Sequence, residues 1–321
     1  MLKLGALCWN QYTDWPSLLE AGRRADRLGF NSLWTWDHLY PIVGSDQGPI
    51  FEGYLTLAAW AMATERTTVG LMVGANPFRN PALVAKMATT LDHISGGRAV
   101  LGIGSAWFDT EHKAFGLEFG ESPAERLRWL REALPVIRGM LDGEAASAAG
   151  NHYHMDQVRN DPPPVHKLPL LVGGGGEQVT LRLVARYADA CNIGAAAGID
   201  AVRRKEAALR RHCDEVGRDE TEIERTLNTG PIIIRSTREE AAVVLRASYA
   251  ANGGAQTWSG KTPEEQPLGS PDDIAEWMRP FVELGYHHIV VGFPSPYDEE
   301  TMVRLIEEVR PRLESVAATA V

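Results

Sequence analysis

Short apolar runs of strand length alternate with longer stretches of helical spacing from one end of the chain to the other, and nothing else constrains the fold as strongly. The expected strands are Leu2–Cys8, Ser32–Trp36, Thr68–Val73, Ala99–Gly104, Leu170–Val172, Ala190–Ile193, Thr229–Arg235 and His288–Val291. Between and after them the spacing predicts helices over Trp15–Leu28, Tyr54–Ala63, Pro81–Ile94, Pro123–Leu141, Gln178–Tyr187, Asp200–Val216, Arg238–Asn252, Pro271–Leu284 and Asp298–Val316. The first helix shows its signals most clearly: Thr13 or Asp14 as N-cap, Pro16 in the first turn and Gly29 at the stop. Strands that alternate with helices imply a parallel α/β sheet.

A parallel sheet either stays open and doubly wound or closes into a (β/α)8 TIM barrel. Eight fairly even units, with strands apolar throughout, favour closure. The dinucleotide fingerprint of open sheets also fails, because Gly102-Ile103-Gly104 is followed by Trp107 where a third glycine is required. Two stretches break the rhythm, residues 143–167 with three consecutive prolines and the polar residues 253–267. Both are expected as insertions in a single barrel domain spanning 1–321, the first with a short hairpin through His152-Tyr153-His154.

Acidic residues outnumber basic ones by 42 to 32, a formal charge of −10 that argues against a nucleic-acid or anionic-membrane surface. Cys8, Cys191 and Cys213 are far apart and form no CxxC, so neither a disulfide framework nor a zinc site is indicated. His152 and His154 form an HxH with no third ligand near, so no metal is expected. The N-terminus runs directly into a strand without a signal-peptide pattern, and no apolar run reaches spanning length. The expectation is a reduced, cytoplasmic enzyme acting on a small molecule.

In a barrel the residues just after each strand form the reaction face. Asp37-His38 follows strand two directly. Position alone leaves two readings open, an acid/base dyad or an N-cap aspartate beside a rim histidine. Gly173-Gly174-Gly175-Gly176 runs from strand five into a helix, where free N–H groups favour an anion; a flexible turn is the bland alternative. Trp9, Trp36 and Trp107 would wall the mouth and suit a planar ring, although each alone is more often core. Trp9, Asn10 and Phe293 are the expected substrate-pocket residues, with the two insertions as lids over a fairly apolar molecule.

Several segments in this order resemble the bacterial-luciferase-like flavin and deazaflavin oxidoreductases over nearly the whole chain. They are Leu33-Trp34-Thr35-Trp36-Asp37-His38-Leu39, the run from Pro81 to Asp92, Ser95-Gly96-Gly97-Arg98, Leu101 to Trp107, Pro169–Gly175 and Ala185–Asn192. The resemblance implies a barrel holding a flavin-type ring at the strand ends, with Asp37-His38 pointing to the branch that uses coenzyme F420. It implies a non-proline cis peptide at Met72–Val73 that buttresses the ring. The implied cofactor contacts are Asp37, Met72, Val73, Ala75, Ser105, Trp107, Gly173 to Gly176, Glu177 and Asn192, with His38 and Asp37 catalytic. Members of such families are often homodimers. Glutamates that sugar-phosphate-oxidising members carry near the ends of strands one and four are replaced here by Asn10 and by Ala106 or Trp107, which argues against a glucose-6-phosphate-type substrate.

The reading that follows is an F420-dependent oxidoreductase passing a hydride between the deazaflavin and an organic substrate. An FMN-dependent monooxygenase using O₂ is the rival, and a non-catalytic cofactor-binding protein is a third, since fold alone does not fix function.

Overall fold

The computed structural model describes residues 1–254 and 265–319. Its strands are β1 (Lys3–Cys8), β2 (Ser32–Thr35), β3 (Thr68–Leu71), β4 (Gly74–Ala75), β5 (Ala99–Gly104), β6 (Ala146–Ala149), β7 (His154–Val158), β8 (Leu170–Gly173), β9 (Ala190–Gly194), β10 (Glu224–Pro231), β11 (Ile233–Ile234), β12 (Leu268–Gly269) and β13 (His288–Phe293). Its helices are α1 (Trp15–Leu28), α2 (Gly53–Ala63), α3 (Pro81–Ser95), α4 (Asp109–Phe115), α5 (Pro123–Leu141), α6 (Thr180–Tyr187), α7 (Ile199–Val216), α8 (Arg238–Ala251), α9 (Pro271–Glu283), α10 (Glu299–Arg304) and α11 (Arg310–Thr319). With β3 and β4 as two halves of one strand, the parallel order β1-β2-β3/β4-β5-β8-β9-β10-β13 returns to β1. This is the closed (β/α)8 TIM barrel that the alternation implied.

The expected helix ends hold where the cap chemistry is explicit. Asp14 accepts from the Ser17 amide at 2.8 Å, so Asp14 is the N-cap of α1, and Gly29 closes the helix with φ 90°. The expected seventh strand starts too late: β10 begins at Glu224, five residues before Thr229, and Ile233–Ile234 leave it to pair with β12. The final helix is broken by a π-helical turn over Leu305–Val309. The segment 143–167 contains the antiparallel pair β6–β7, with Ala149 opposite His154. The second stretch, 253–267, lies largely outside the described residues.

By contacts the chain divides into two compact units, one of Met1–Thr67, Ile193–Arg203 and Arg225–Val321, the other of Thr68–Asn192 and Arg204–Glu224. The first unit is built on β1 and β13, which pair in register from Lys3↔His288 to Cys8↔Phe293. Below its strand ends lies a buried polar trio, in which the Trp34 indole N–H donates to Ser32 Oγ at 2.7 Å and His288 Nε2 lies 2.8 Å from the same oxygen. His288 is thus a satisfied core histidine. The second unit is built on β5, which pairs with β3, β4 and β8. Among the described residues no helix is long and apolar enough to cross a membrane.

Candidate functional site

In the first unit, β1 ends in Trp9-Asn10-Gln11, all buried. The Trp9 ring packs against Trp36, just past β2, with centroids 4.7 Å apart, and against Tyr249 of α8 at 6.2 Å. Burial pushes the phenols of Tyr249 and Tyr297 up, so both are neutral donors at any working pH. Tyr297 uses its proton on the Trp9 carbonyl at 2.8 Å. Asp37 is buried and His38 half-buried immediately after this aromatic group.

The residues after His38 are fastened to the end of β1 by three consecutive side chains. Asn10 Nδ2 donates to the carbonyls of Trp36 and Phe51. Gln11 donates to Val43 O at 2.9 Å and accepts from the Ile42 and Val43 amides at 2.9 and 3.3 Å. Tyr12 donates to Ser45 O. Gln11 also reaches Asn252 Oδ1 at 3.4 Å, and Asn252 in turn holds Ser295 O at 2.8 Å. Sequence reasoning gave Gln11 and Asn252 no role. The one available signal was an amide directly following a strand, where a buried backbone segment needs partners.

In the second unit the third strand is interrupted between β3 and β4 by a cis peptide at Met72–Val73. The Val73 side chain occupies ground left open by two glycines. A Cβ on Gly104 would lie 2.8 Å from Val73 Cγ2, and one on Gly173 would lie 2.7 and 2.8 Å from Cγ1 and Cγ2. Gly104 and Gly173 are therefore required by Val73, each at the last residue of its strand. Met72 and Ala75 are buried on either side, and Ala75 pairs with Gly104.

Gly173 pairs with Asn192, and the Gly174 N–H donates to Asn192 O at 3.2 Å with Gly174 at φ 116°, a conformation open mainly to glycine. Helix α7 then engages the loop's carbonyls: Lys205 Nζ donates to Gly175 O at 2.9 Å, and His212 Nε2 donates to Glu177 O at 2.8 Å. Among the described residues the amides of Gly175, Gly176 and Glu177 make no hydrogen bond, and α6 has no side-chain N-cap. Carbonyls turned away and amides left over are what an anion needs.

The structure places the remaining expected residues less tightly. Ser105 is half-buried, Ala106 has φ 64°, and Trp107 is 53% exposed with its ring against Phe108 at 5.3 Å. Arg126 of α5 holds this turn through the Ala106 and Phe119 carbonyls. The Phe293 ring packs edge-on against Phe30 at 5.8 Å. His152 stacks flat on Trp129 at 3.8 Å, while Glu132 accepts the amides of Asn151, His152 and Tyr153.

A profile described as luciferase-like monooxygenase matches residues 5–288. The chain belongs to the luciferase-like monooxygenase family. An F420-dependent glucose-6-phosphate dehydrogenase from Microbacterium testaceum is 28% identical over 316 residues, covering 92% of this chain and 93% of that protein. An F420-dependent secondary alcohol dehydrogenase, solved with an F420-acetone adduct, superposes with TM-score 0.82 at 21% identity over 97% of this chain and 99% of that one. A monooxygenase from Streptomyces bottropensis gives TM-score 0.80 at 18% identity, again over 97% and 99%. At these identities the two solved structures show the barrel fold and no more.

Proposed function

We propose that this luciferase-like chain is an F420-dependent oxidoreductase that passes a hydride between the deazaflavin and a small organic substrate. The observation that carries the reading is the close packing of Val73 against Gly104 and Gly173, two residues before Gly175-Gly176-Glu177, whose amides make no hydrogen bond among the described residues. Met72, Val73 and Ala75 form a shelf for one face of a ring, and the Gly173–Glu177 loop takes a phosphate, with Asn192 holding Gly174 and Ser105 and Trp107 lying at the end of β5. Coenzyme F420, when bound, supplies two-electron hydride chemistry.

The chain's own residues then position and protonate. His38 exchanges a proton with the substrate atom that gains or loses it, and Asp37 orients the ring or that imidazole. Trp9 and Asn10 contact the substrate, with Phe293 in the same strand-end set. The net charge of −10 argues against nucleic acid and anionic membranes as partners, and the cytoplasm is the compartment proposed. Residues 1–321 act as one barrel domain with insertions at 143–167 and 253–267.

FMN with O₂ is the second reading, favoured by the family's monooxygenase members. Titrating the protein with each cofactor while following tryptophan fluorescence separates the two. A second copy of the chain is proposed to cover α2, whose eleven residues carry no charge and leave Leu55 and Met62 74% and 76% exposed.

A further inference from the structure

The glycines that follow β8 each meet a different constraint, and two side chains of α7 shape the far end of the run. Val73 requires Gly173, and Gly174 stands at φ 116°. A Cβ on Gly176 would lie 2.9 Å from Thr180 Oγ1, and one on Gly175 would lie 3.0 Å from Lys205 Cδ. The Lys205 stem therefore lies across Gly175, and its ammonium donates to the Gly175 carbonyl at 2.9 Å. About two turns further along α7, His212 is 4% exposed, and its Nε2 lies 2.8 Å from the Glu177 carbonyl. A carbonyl only accepts, so Nε2 carries the proton. Glu215 Oε2, 3.2 Å from Nδ1, holds the other edge of the ring.

These contacts dictate where the neighbouring amides point. Neither Gly175–Gly176 nor Glu177–Gln178 is a cis peptide, so in each the N–H lies opposite the carbonyl. With the Gly175 and Glu177 carbonyls drawn onto α7, the Gly176 and Gln178 N–H groups are turned away from it. Neither amide has a hydrogen-bond partner among the described residues. A lysine ammonium and a buried histidine thus fix a short row of donors before any anion arrives, which lowers the ordering cost of binding one.

We propose that Lys205 and His212 are positioning residues for the cofactor's phosphate. They act through the Gly175 and Glu177 carbonyls, hold the Gly176 and Gln178 amides in the orientation a phosphate ester needs, and take no part in binding the ring. The proposal rests on the reading of this loop as the phosphate site. It lies wholly within the second unit, and it holds whether the ring is a deazaflavin or FMN.

The test compares each cofactor with its phosphate-free counterpart: F420 with the same deazaflavin carrying only its ribityl chain, and FMN with riboflavin. Lys205→Met keeps the aliphatic stem and removes the donor, while His212→Phe keeps a ring and removes both of its nitrogens. Affinities are read by tryptophan fluorescence, beside a melting temperature for each variant. Each variant is expected to bind the phosphorylated member of the preferred pair about tenfold more weakly than wild type, and the phosphate-free member within about twofold. Lys205 is half-buried, so its variant carries the comparison alone if His212→Phe does not fold. Equal weakening of both members of the pair, or of neither, overturns the proposal. A wild type that binds F420 and FMN no tighter than their phosphate-free forms overturns the phosphate loop and the proposal with it. A wild type that prefers FMN, with the split intact on FMN and riboflavin, refutes the F420 reading and supports the proposal.

Discussion

Val73 stands where Gly173 has no side chain: a Cβ on Gly173 would come within 2.7 Å of Val73 Cγ1. Gly173→Ala is therefore expected to overpack the strand ends and cost about 1–3 kcal/mol, read as a lower melting temperature with weakened F420 binding. Val73→Ala removes both offending methyl groups, so the double variant should regain most of the melting temperature. Equal destabilisation in the single and double variants would show that the two residues are not coupled.

His38 is half-buried and follows the buried Asp37 at the end of the second strand. As the proton-exchanging group of the proposed reaction, His38→Ala should lower kcat by about 10²–10⁴-fold while F420 still binds. Turnover within twofold of wild type would remove His38 from the mechanism.

How far the expected site residues could be read beforehand differs from residue to residue. The strand-end glycines, Asp37-His38 and the break at Met72–Val73 were legible because each is a local pattern beside a strand or a feature the family shares. The strap of Gln11 on Ile42 and Val43 was not, since its partners lie 31 and 32 residues away and no periodicity links them. Tyr249 was hidden for a similar reason, as one aromatic on an apolar helix face reads as core. The late start expected for β10 has a simple cause: Glu224-Arg225-Thr226 is too polar to signal a strand, yet Thr226 and Leu227 pair with His288 and Ile289.

Asp189 ties the second unit together beneath β8. It meets Lys167 at 2.6 Å, Arg138 at 2.7 Å and the Leu170 amide at 2.9 Å. Burial alone would raise its carboxyl, but the hydrogen bonds from Lys167 and Leu170 and the charge of Arg138 outweigh that and hold it below the ordinary value. A folded-state value below the unfolded one adds stability above about pH 4, and this is lost as pH falls through the lowered value. Asp189→Asn should cost about 2 kcal/mol near pH 7, moderated because Arg138 keeps Asp142, and the gap to wild type should shrink in acid. A pH-independent gap in urea unfolding would contradict this assignment.

Leu55 and Met62 lie seven residues apart on one exposed face of α2. Sedimentation equilibrium at micromolar concentration should give a dimer for wild type and a monomer for Leu55→Glu/Met62→Glu. A monomeric wild type would rule out the proposed pairing.

The central claim is that this barrel binds a deazaflavin. The most direct measurement is a fluorescence titration of the cofactor-free protein with F420 and with FMN under the same conditions. Saturable quenching by F420, at least tenfold tighter than by FMN, is the predicted result. Tight binding of FMN with no response to F420 would contradict the account.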